Sequence, residues 1–540
     1  MRHTLVLVGS LILSVWFIRW IVQRIRRRSI NYLPGPPSPS WLVGHLGSFF
    51  RPKQFGDADL AFIREYGTTI HINTTFGRDV LFTCDPKALQ YVFNTSGYNF
   101  PKTPDKRILL EILTGRGIAW AEGTQHARHR KIMNPAFSFS ALREFIPSFT
   151  TTARKAVNKM KIDVLSDGKP QVINILSWLH RTTLDAIGET AFGHKFDVID
   201  KTQESKLAKV YDNLMPKASI ERPDFSIAFE AFLGTLPGWL ITLGLKVPVG
   251  RFKVMRDYIK IAQGVAREII DKQTELYLGG KEGGKDVMSL LIRANFSEDP
   301  KTKLTTEEII PQMTTVFLAG HDSTATTTSW VLYQLSNNPE WQTRIREEIK
   351  AVKAAAAERG DAELSIADMD SMEYLLAAMK ETLRYHPIVG SLARQARNDT
   401  VIPLDIPQKT KTGEIVTSIP ISKGQHVMLS IFAYNRLEEV WGADADLWRP
   451  ERFLEGVNKS QKTSIGVIGN LMTFSSGVRG CIGWRFAVLE MQSILIELLE
   501  NFEFSLLPNT EIVPVFATIM TPTVRGEARR TQMPLVVKPL

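Results

Sequence analysis

Cys481 is the residue of this chain with the clearest capacity for chemistry. It is one of 2 cysteines in 540 residues, so a disulfide framework or a four-cysteine zinc site is not available. The segment from Trp484 to Glu500 is mostly apolar and contains neither Gly nor Pro, which predicts a long, mostly buried helix. Because the start of a helix is the positive end of its dipole, this position favours a thiolate that can ligate a metal ion.

The residues around Cys481 are suited to a flat ligand. Three glycines let the backbone turn tightly and approach a ligand closely: Gly477, Gly480 and Gly483. Phe474 can cover the sulfur with an apolar ring, and Arg479 can bind a carboxylate through two parallel hydrogen bonds. A lone thiolate in such surroundings is what a protein needs to hold haem iron from one side.

These positions also carry a resemblance to a known family. Five residues match the haem-binding loop of the cytochrome P450 superfamily position for position: Phe474, Gly477, Arg479, Cys481 and Gly483. The resemblance implies haem b, iron protoporphyrin IX, with the sulfur of Cys481 as the iron ligand. The alternative is a buried structural cysteine on a glycine-rich turn, and the number of constrained positions argues against it.

A second motif lies in the middle of a predicted long helix. Thr305 and Glu308 form a capping box, which predicts a helix running to about Ser336 with a bend near Pro311. Its central residues are Ala319, Gly320, His321, Asp322, Ser323 and Thr324. The two small residues at the start of this run leave a gap against which a flat cofactor can lie.

Asp322 and Ser323 are costly inside an apolar helix unless they meet water or take part in chemistry. The resemblance implies an acid–alcohol pair here, which holds water and relays protons toward the dioxygen that haem activates. The usual alcohol is threonine, and Ser323 keeps the hydroxyl without the β-branch. Thr324 is a second candidate alcohol, and a polar stripe without chemistry is the alternative for all three residues.

Further residues are implied to contact the haem propionates. His126 and Arg130 lie four positions apart, so they share one helical face, and a solvated basic helix is the alternative interpretation. In the resembled family this helix often has Trp where His126 stands and Arg where Arg130 stands, both facing a propionate. Arg394 resembles the family's propionate-binding arginine on a later strand.

Glu381 and Arg384 are three positions apart on a predicted helix that ends before Pro387. In isolation such a pair is an ordinary surface salt bridge. The resemblance implies that Arg452 joins it in a buried three-residue network, which has a structural role and fixes the loop that carries Cys481.

Three segments are implied to face a substrate: isolated apolar residues of 101–121, the stretch 387–392, and a hairpin tip at 513–519. The apolar candidates of the first segment are Ile108, Leu109, Leu113 and Ile118. Two runs of alternating residues on either side of Gly77 predict a β-hairpin. The charged or low-complexity runs 354–363 and 409–418 are interpreted as surface loops.

The beginning of the chain predicts a membrane anchor. Leu5 to Val22 is nearly continuous in apolar residues and about long enough to span a bilayer. An arginine cluster follows at Arg24, Arg26, Arg27 and Arg28, which places the next domain on the cytoplasmic side. A cleaved signal peptide is the rival interpretation, but no small-residue cleavage site follows the apolar run. Leu33 to Pro39 is a proline-rich elbow.

Apart from that cluster, the basic residues are scattered along the chain, whose net charge is +10. The chain has no zinc-finger spacing and no alternation of aromatic and basic residues, so we expect no nucleic-acid partner. We expect three parts: an anchor with a basic stop-transfer segment at 1–29, an elbow at 30–52, and a haem-thiolate catalytic domain at 53–540. The fold implied by the resemblance is mainly α with small β-sheets (α+β), the cytochrome P450 fold, after one transmembrane helix.

The implied function is a haem-thiolate monooxygenase that inserts one oxygen atom from O2 into an apolar organic substrate, in fungal-type secondary metabolism. The implied partners are NADPH–cytochrome P450 reductase, with cytochrome b5 as a further candidate. The expected location is the endoplasmic reticulum membrane, single-pass, with a cytosolic catalytic domain. Two rivals are a haem-thiolate isomerase or dehydratase that needs no external electrons, and a non-catalytic haem sensor. Terpenoid, steroid, fatty acid and aromatic substrates all suit an apolar pocket.

Overall fold

The computed structural model describes residues 14, 30–200, 222–234, 236, 250–280, 286–299, 301–455, 463–517, 519–527 and 530–540. These residues form many helices and a few small sheets, which confirms the expected mainly α, α+β class.

The helices have the following bounds: α1 Leu46–Phe50, α2 Asp57–Tyr66, α3 Pro86–Gln90, α4 Pro104–Thr114, α5 Gly123–Met133, α6 Phe139–Asp163, α7 Ile175–Phe192, α8 Asp224–Leu233, α9 Gly250–Leu278, α10 Val287–Asn295, α11 Thr306–Asn337, α12 Pro339–Glu358, α13 Ile366–Asp370, α14 Glu373–Tyr385, α15 Ile431–Tyr434, α16 Glu438–Trp441, α17 Glu451–Leu454 and α18 Trp484–Asn501.

The strands have the following bounds: β1 Thr69–Thr74, β2 Arg78–Thr83, β3 Gln171–Asn174, β4 Ser391–Gln395, β5 Thr400–Lys409, β6 Ile415–Ile421, β7 His426–Ser430, β8 Phe502–Leu506, β9 Ile512–Ala517, β10 Ile519–Val524 and β11 Pro534–Pro539. The largest sheet has the order β1-β2-β7-β4, in which β2 and β7 are parallel. The other sheets are β3-β11-β8, β5-β6 and β9-β10.

Helix α11 runs through the middle of the fold. Its capping box at Thr305 and Glu308 is present as predicted, and Leu304 and Ile309 on either side of it are fully buried. The helix ends at Asn337, one residue beyond the predicted end, and contains Pro311. It packs against α7, α9 and α18. Polar residues in the centre of α11 are therefore surrounded by other helices.

Helix α18, directly after Cys481, is the long buried helix that the sequence predicts. It packs against α6, where the rings of Phe149 and Phe486 meet edge to face with centroids 4.9 Å apart. Each buried aromatic side chain of this kind stabilises the fold by about 1.5–3 kcal/mol through the removal of apolar surface from water. The packing fixes the start of the helix and therefore the loop before it.

The hairpin around Gly77 is confirmed, since β1 and β2 pair antiparallel from Thr69↔Thr83 to Thr74↔Arg78. Gly77 has φ 63°, in the left-handed region that glycine adopts without strain. The surface-loop interpretation of 354–363 was wrong in its first half, because α12 continues to Glu358. The alanine run there has high helix propensity, which outweighs its low complexity. The surface-loop interpretation of 409–418 was also wrong in part: residues 410–414 form the turn between β5 and β6, but residue 409 ends β5 and residues 415–418 belong to β6, because the two strands continue to pair on either side of the turn.

None of the helices in the described ranges has both the length and the apolar character needed to cross a bilayer. The predicted anchor over 5–22 and the arginine cluster after it lie outside the described residues, apart from Ser14.

Candidate active site

The loop before α18 is built from two short 3₁₀ turns, Met472–Phe474 and Gly477–Arg479. The backbone N–H of Cys481 donates to the carbonyl of Phe474 over 2.8 Å, which closes the loop. Gly477 has φ 64°, and a Cβ atom there would lie 2.0 Å from the carbonyl oxygen of Phe93. This position therefore requires glycine for both its conformation and its space. Gly483 caps the start of α18.

Cys481 lies in a recess of the protein. Its side chain keeps accessible surface, yet the surrounding protein removes it from bulk water, and this burial raises the pKa of the thiol. The N–H of Gly483 and the charge of Arg130 act in the opposite direction. The sequence predicts that the helix start favours a thiolate; desolvation of the charged sulfur acts against this preference. A bound metal ion would deprotonate the thiol directly.

The two small residues in the centre of α11, Ala319 and Gly320, have different surroundings. Ala319 is exposed although most of its helix is buried. A Cβ atom on Gly320 would lie 2.8 Å from Cδ1 of Ile187. Gly320 therefore allows α7 to approach α11 closely, and Ala319 is the member of this pair with free surface for a flat cofactor.

The acid of the predicted acid–alcohol pair faces α7. The Oδ1 atom of Asp322 lies 3.2 Å from Nε2 of His180. Burial raises the pKa of Asp322, but the hydrogen bond and charge of His180 outweigh it, and the pKa is lower than the ordinary value. Asp322 is therefore ionised at neutral pH although little of it reaches solvent.

The two candidate alcohols next to Asp322 differ in their surroundings. The hydroxyl of Ser323 donates to the carbonyl of Ala319 over 2.6 Å, and the side chain keeps accessible surface. Thr324 is 2% exposed, donates to the carbonyl of Gly320 over 3.2 Å, and lies beside Glu490 of α18. The structure thus favours Ser323 as the alcohol that a ligand can reach.

Positive charge is concentrated beside the Cys481 loop. Arg479 forms an ion pair with Glu122 and donates to the carbonyl of Gly97 over 2.9 Å. Arg394 is 7% exposed, and its pKa falls to about 10 because of burial and the charge of Arg479. Lys102 pairs with the same Glu122. Several cations thus share one carboxylate, an arrangement that an anionic ligand would stabilise.

His126 and Arg130 both lie on α5, as predicted, but they have different partners. The Nδ1 atom of His126 lies 2.7 Å from the hydroxyl of Tyr98. Burial first, and then the charges of Lys102 and two arginines, lower the pKa of His126 to about 4, so the ring is neutral at neutral pH. Arg130 donates to the carbonyl of Gly480, next to Cys481.

The predicted network of Glu381, Arg384 and Arg452 is present and fully buried. Glu381 accepts hydrogen bonds from Nε and Nη2 of Arg384, each over 2.8 Å, and from Nε of Arg452 over 3.0 Å. The remaining donors of Arg384 reach backbone carbonyls of the segment before α17: Asn435, Ala445 and Leu447. The ion pair of Glu381 and Arg384 is thus part of a buried network and is not an ordinary surface salt bridge.

Comparison with known proteins identifies the family. A model of the cytochrome P450 family matches residues 34–529. The chain belongs to the cytochrome P450 family. Cytochrome P450 monooxygenase 205 of Postia placenta is 32% identical over 98% of this chain and 97% of its own length. The ganoderic acid synthetase of Ganoderma lucidum is 30% identical over 99% of each chain. Cytochrome P450 monooxygenase claU of Ampulloclitocybe clavipes is 30% identical over 98% of this chain and 96% of its own.

This P450 is a haem-thiolate monooxygenase whose cofactor is iron protoporphyrin IX. The residues present fit that group. Cys481 and Ala319 both have accessible surface on elements whose neighbouring residues are mostly buried. The cluster of Lys102, Arg394 and Arg479 around one carboxylate suits the two propionates.

The sequence alone did not identify His180 as a partner of Asp322. The two residues are far apart in the chain, and a single histidine on an amphipathic helix has no distinguishing pattern. Their pairing follows from the close packing of α7 on α11, where the hydroxyl of Thr183 also donates to the carbonyl of His321 over 3.0 Å.

Glu490 was also missed, although it had a signal: a carboxyl group in the middle of an apolar helix. It is fully buried, and burial raises its pKa well above 4.5. The carboxyl group therefore keeps its proton to a higher pH than an exposed glutamate does. It lies beside Thr324. Its pKa is raised, whereas the pKa of Asp322 is lowered.

We expect Glu490→Gln to stabilise the protein increasingly as pH rises. Above the ordinary glutamate pKa the unfolded chain releases this proton while the folded protein keeps it, so the wild type loses stability as pH rises through this window. Glutamine removes the effect, and the variant gains up to about 1.4 kcal/mol of unfolding free energy per pH unit. Denaturant unfolding at pH 5, 6, 7 and 8 measures this. Glu503→Gln, at an exposed pair with Lys538, is the control, and equal pH dependence in both variants would contradict the assignment.

We expect Glu381→Gln to destabilise the protein by roughly 3–5 kcal/mol, because two buried guanidinium groups lose their counter-charge. Thermal unfolding and the fraction of protein that retains haem measure the effect. Glu363→Gln breaks an exposed ion pair with Arg154, and it is expected to cost at most about 1 kcal/mol. Equal losses in the two variants would show that the buried network has no special role.

Proposed function

We propose that Cys481 is the iron ligand of this monooxygenase and that the chain oxidises an apolar organic substrate with electrons from NADPH. Bound haem would supply the activation of O2 and the insertion of one oxygen atom into the substrate. A thiolate ligand donates electron density that favours cleavage of the O–O bond. The recess at Cys481, closed by glycine-dependent turns, supports this role.

The single observation that carries the proposal is the pair of Asp322 and His180 beside the accessible hydroxyl of Ser323. An ionised carboxylate in the centre of a buried helix can accept a proton and pass it on. The hydroxyl of Ser323, which is next to this carboxylate in the chain, would hold a water molecule through which a proton moves. His180 is a positioning residue, since it holds Asp322 in place and keeps it ionised.

The cationic cluster has a binding role in this proposal. Arg394 and Arg479 would hold the propionates, and Arg130 fixes the backbone next to the ligand sulfur. His126 stays neutral and can donate a hydrogen bond without adding charge. Phe474, packed against the core, would cover one side of the sulfur.

The cellular setting is also part of the proposal. The apolar run 5–22 and the arginines after it support a single-pass anchor in the endoplasmic reticulum membrane, with residues 53–540 as a cytosolic catalytic domain. NADPH–cytochrome P450 reductase would then be the electron donor, with cytochrome b5 as a second one. A ganoderic acid synthetase among the relatives supports a role in secondary metabolism.

A rival isomerase or dehydratase would use a peroxide and would not need an acid–alcohol pair, and a haem sensor would need no proton path. The pair of Asp322 and Ser323 therefore favours the monooxygenase. Reductase-dependent NADPH consumption that rises with substrate supports it; peroxide turnover without reductase would point to the isomerase class, and neither activity to the sensor.

We expect the reduced wild-type protein under carbon monoxide to show the red-shifted Soret band of thiolate ligation, and Cys481→Ala to lose it. The sulfur is the only cysteine sulfur of this loop, and Cys84→Ala is the matched control because Cys84 is buried on β2's C-terminal side. Absorbance spectra of the purified proteins measure the band. A Cys481→Ala protein that keeps it would contradict the ligand assignment.

We expect Asp322→Asn and Ser323→Ala to divert electrons from product to peroxide, with product per NADPH lower by about tenfold or more. Product, peroxide and NADPH are measured together with any substrate that shifts the haem spectrum. Thr324→Val is the matched control: its side chain faces Glu490, so coupling should stay within about twofold. Larger uncoupling in Thr324→Val than in Ser323→Ala would assign the alcohol to Thr324.

A further inference from the structure

A cavity of about 230 Å³ lies between the largest sheet, α4 and α8. Most of its wall is apolar, with several aromatic rings: Phe49, Phe50, Phe55 and Phe516. It joins members of all three segments that the sequence assigned to the substrate, namely Ile108, Leu109, Val389 and Phe516. Leu113 and Ile118 are buried elsewhere in the core. This cavity is the best candidate for the substrate-binding region of the proposed function.

Arg78 places a guanidinium group in this apolar wall. It is the first residue of β2 and lines the cavity. Burial lowers the pKa of the group, and Asp105 on α4 is the counter-charge that acts on it. No hydrogen bond or ion pair of this side chain is found with any residue that the structure describes. Arg78 is half-buried, and it lines the cavity. A cation in a mostly apolar wall without a direct ion pair favours an anionic ligand.

The other charged groups at the cavity already have partners. Arg222 forms an ion pair with Glu230 and lies over the ring of Phe50. Asp59 accepts a hydrogen bond from Ser430 over 2.6 Å, and burial raises its pKa to about 7.

The remaining groups at the wall are on α4 and the sheet. Lys106 and Asp105 are adjacent on α4, and His426 is on β7. Lys106 and His426 have interactions of their own. Asp105 acts on Arg78 through its charge, but the two side chains form no ion pair within the described wall.

We propose that the cavity binds an amphipathic substrate whose apolar body lies against the phenylalanine rings and whose carboxylate pairs with Arg78. A guanidinium group binds a carboxylate through two parallel hydrogen bonds, and the interaction is strongest away from water. Such a ligand would meet the donors that the protein leaves unmet. This inference rests on the proposed function, since it takes this cavity as the place where substrate binds.

The test compares acids with their methyl esters, which share a body and differ in charge. The probes are dodecanoic acid and 5β-cholanic acid, each with its methyl ester, and equilibrium dialysis against the holoenzyme at pH 8 measures binding without turnover. We expect at least one acid to bind about tenfold or more tightly than its ester, as a charge-assisted hydrogen-bonded pair provides.

Three variants assign that preference to one side chain. Arg78→Met keeps the apolar stem and removes the charge. The affinity for the acid should therefore fall to the affinity for the ester, and the affinity for the ester should not change. Arg78→Lys keeps the charge without the planar fork and should retain part of the preference. Arg116→Met removes an exposed arginine at the end of α4 that is paired with Glu111, and it should change nothing.

Two results would overturn the inference: neither acid binds more tightly than its ester, or Arg78→Met weakens acid and ester equally. The carbon monoxide spectrum and reductase-dependent NADPH consumption of the same preparations keep this outcome separate from the proposed function. A protein that passes those two measurements and shows no dependence on Arg78 is a monooxygenase for a different substrate class.

Discussion

A buried carboxylate, that of Glu381, organises the part of the fold on which the chemistry depends. It binds two arginines that arrive from different segments and also accepts the backbone N–H of Arg449 over 2.7 Å. The hydroxyl of Thr473, just before the cysteine loop, donates to the carbonyl of Leu383 on the same helix over 2.7 Å. The loop is therefore tied to the network through neighbouring backbone. Since a buried ion pair is stable only when all its members are present, the position of Cys481 depends on groups that never contact the cofactor.

The charge states near the centre of α11 follow from a competition between burial and polar partners. Asp322 and Glu490 are carboxyl groups on two helices, α11 and α18, that pack against each other. Asp322 lies 3.2 Å from His180, which lowers its pKa, whereas Glu490 lies beside a single hydroxyl and burial raises its pKa. A charged group survives burial only if a partner replaces the water that it loses. Helix α11 thus carries an acid with a lowered pKa, and α18 carries one with a raised pKa.

Positive charge shows the same principle on the cofactor side. Burial first, and then the charge of Arg479, lower the pKa of Arg394; burial and the cations nearby likewise lower the pKa of His126 and keep its ring neutral. Glu122 compensates part of this charge. An anionic ligand would neutralise more of this positive charge. The cationic side chains are already in place, so a cofactor with carboxylate groups would bind without rearranging them. Arg78, in the mostly apolar wall of the cavity, would likewise be stabilised by an anionic ligand.

The sequence by itself determined the family, the cysteine, the long helices and the pairing of Glu381 with Arg384, because each depends on local spacing; Arg452 was added through the resemblance to the family. The capping box at Thr305, the glycine required at 477 and the pairing of Glu381 with Arg384 are short-range patterns of this kind. Tertiary structure alone decided what depends on distant contacts. The pairing of His180 with Asp322 and the helix contact at Gly320 arise when α7 packs against α11. The raised pKa of Cys481 arises from its burial. Desolvation is a property of the assembled core, and no stretch of sequence contains it.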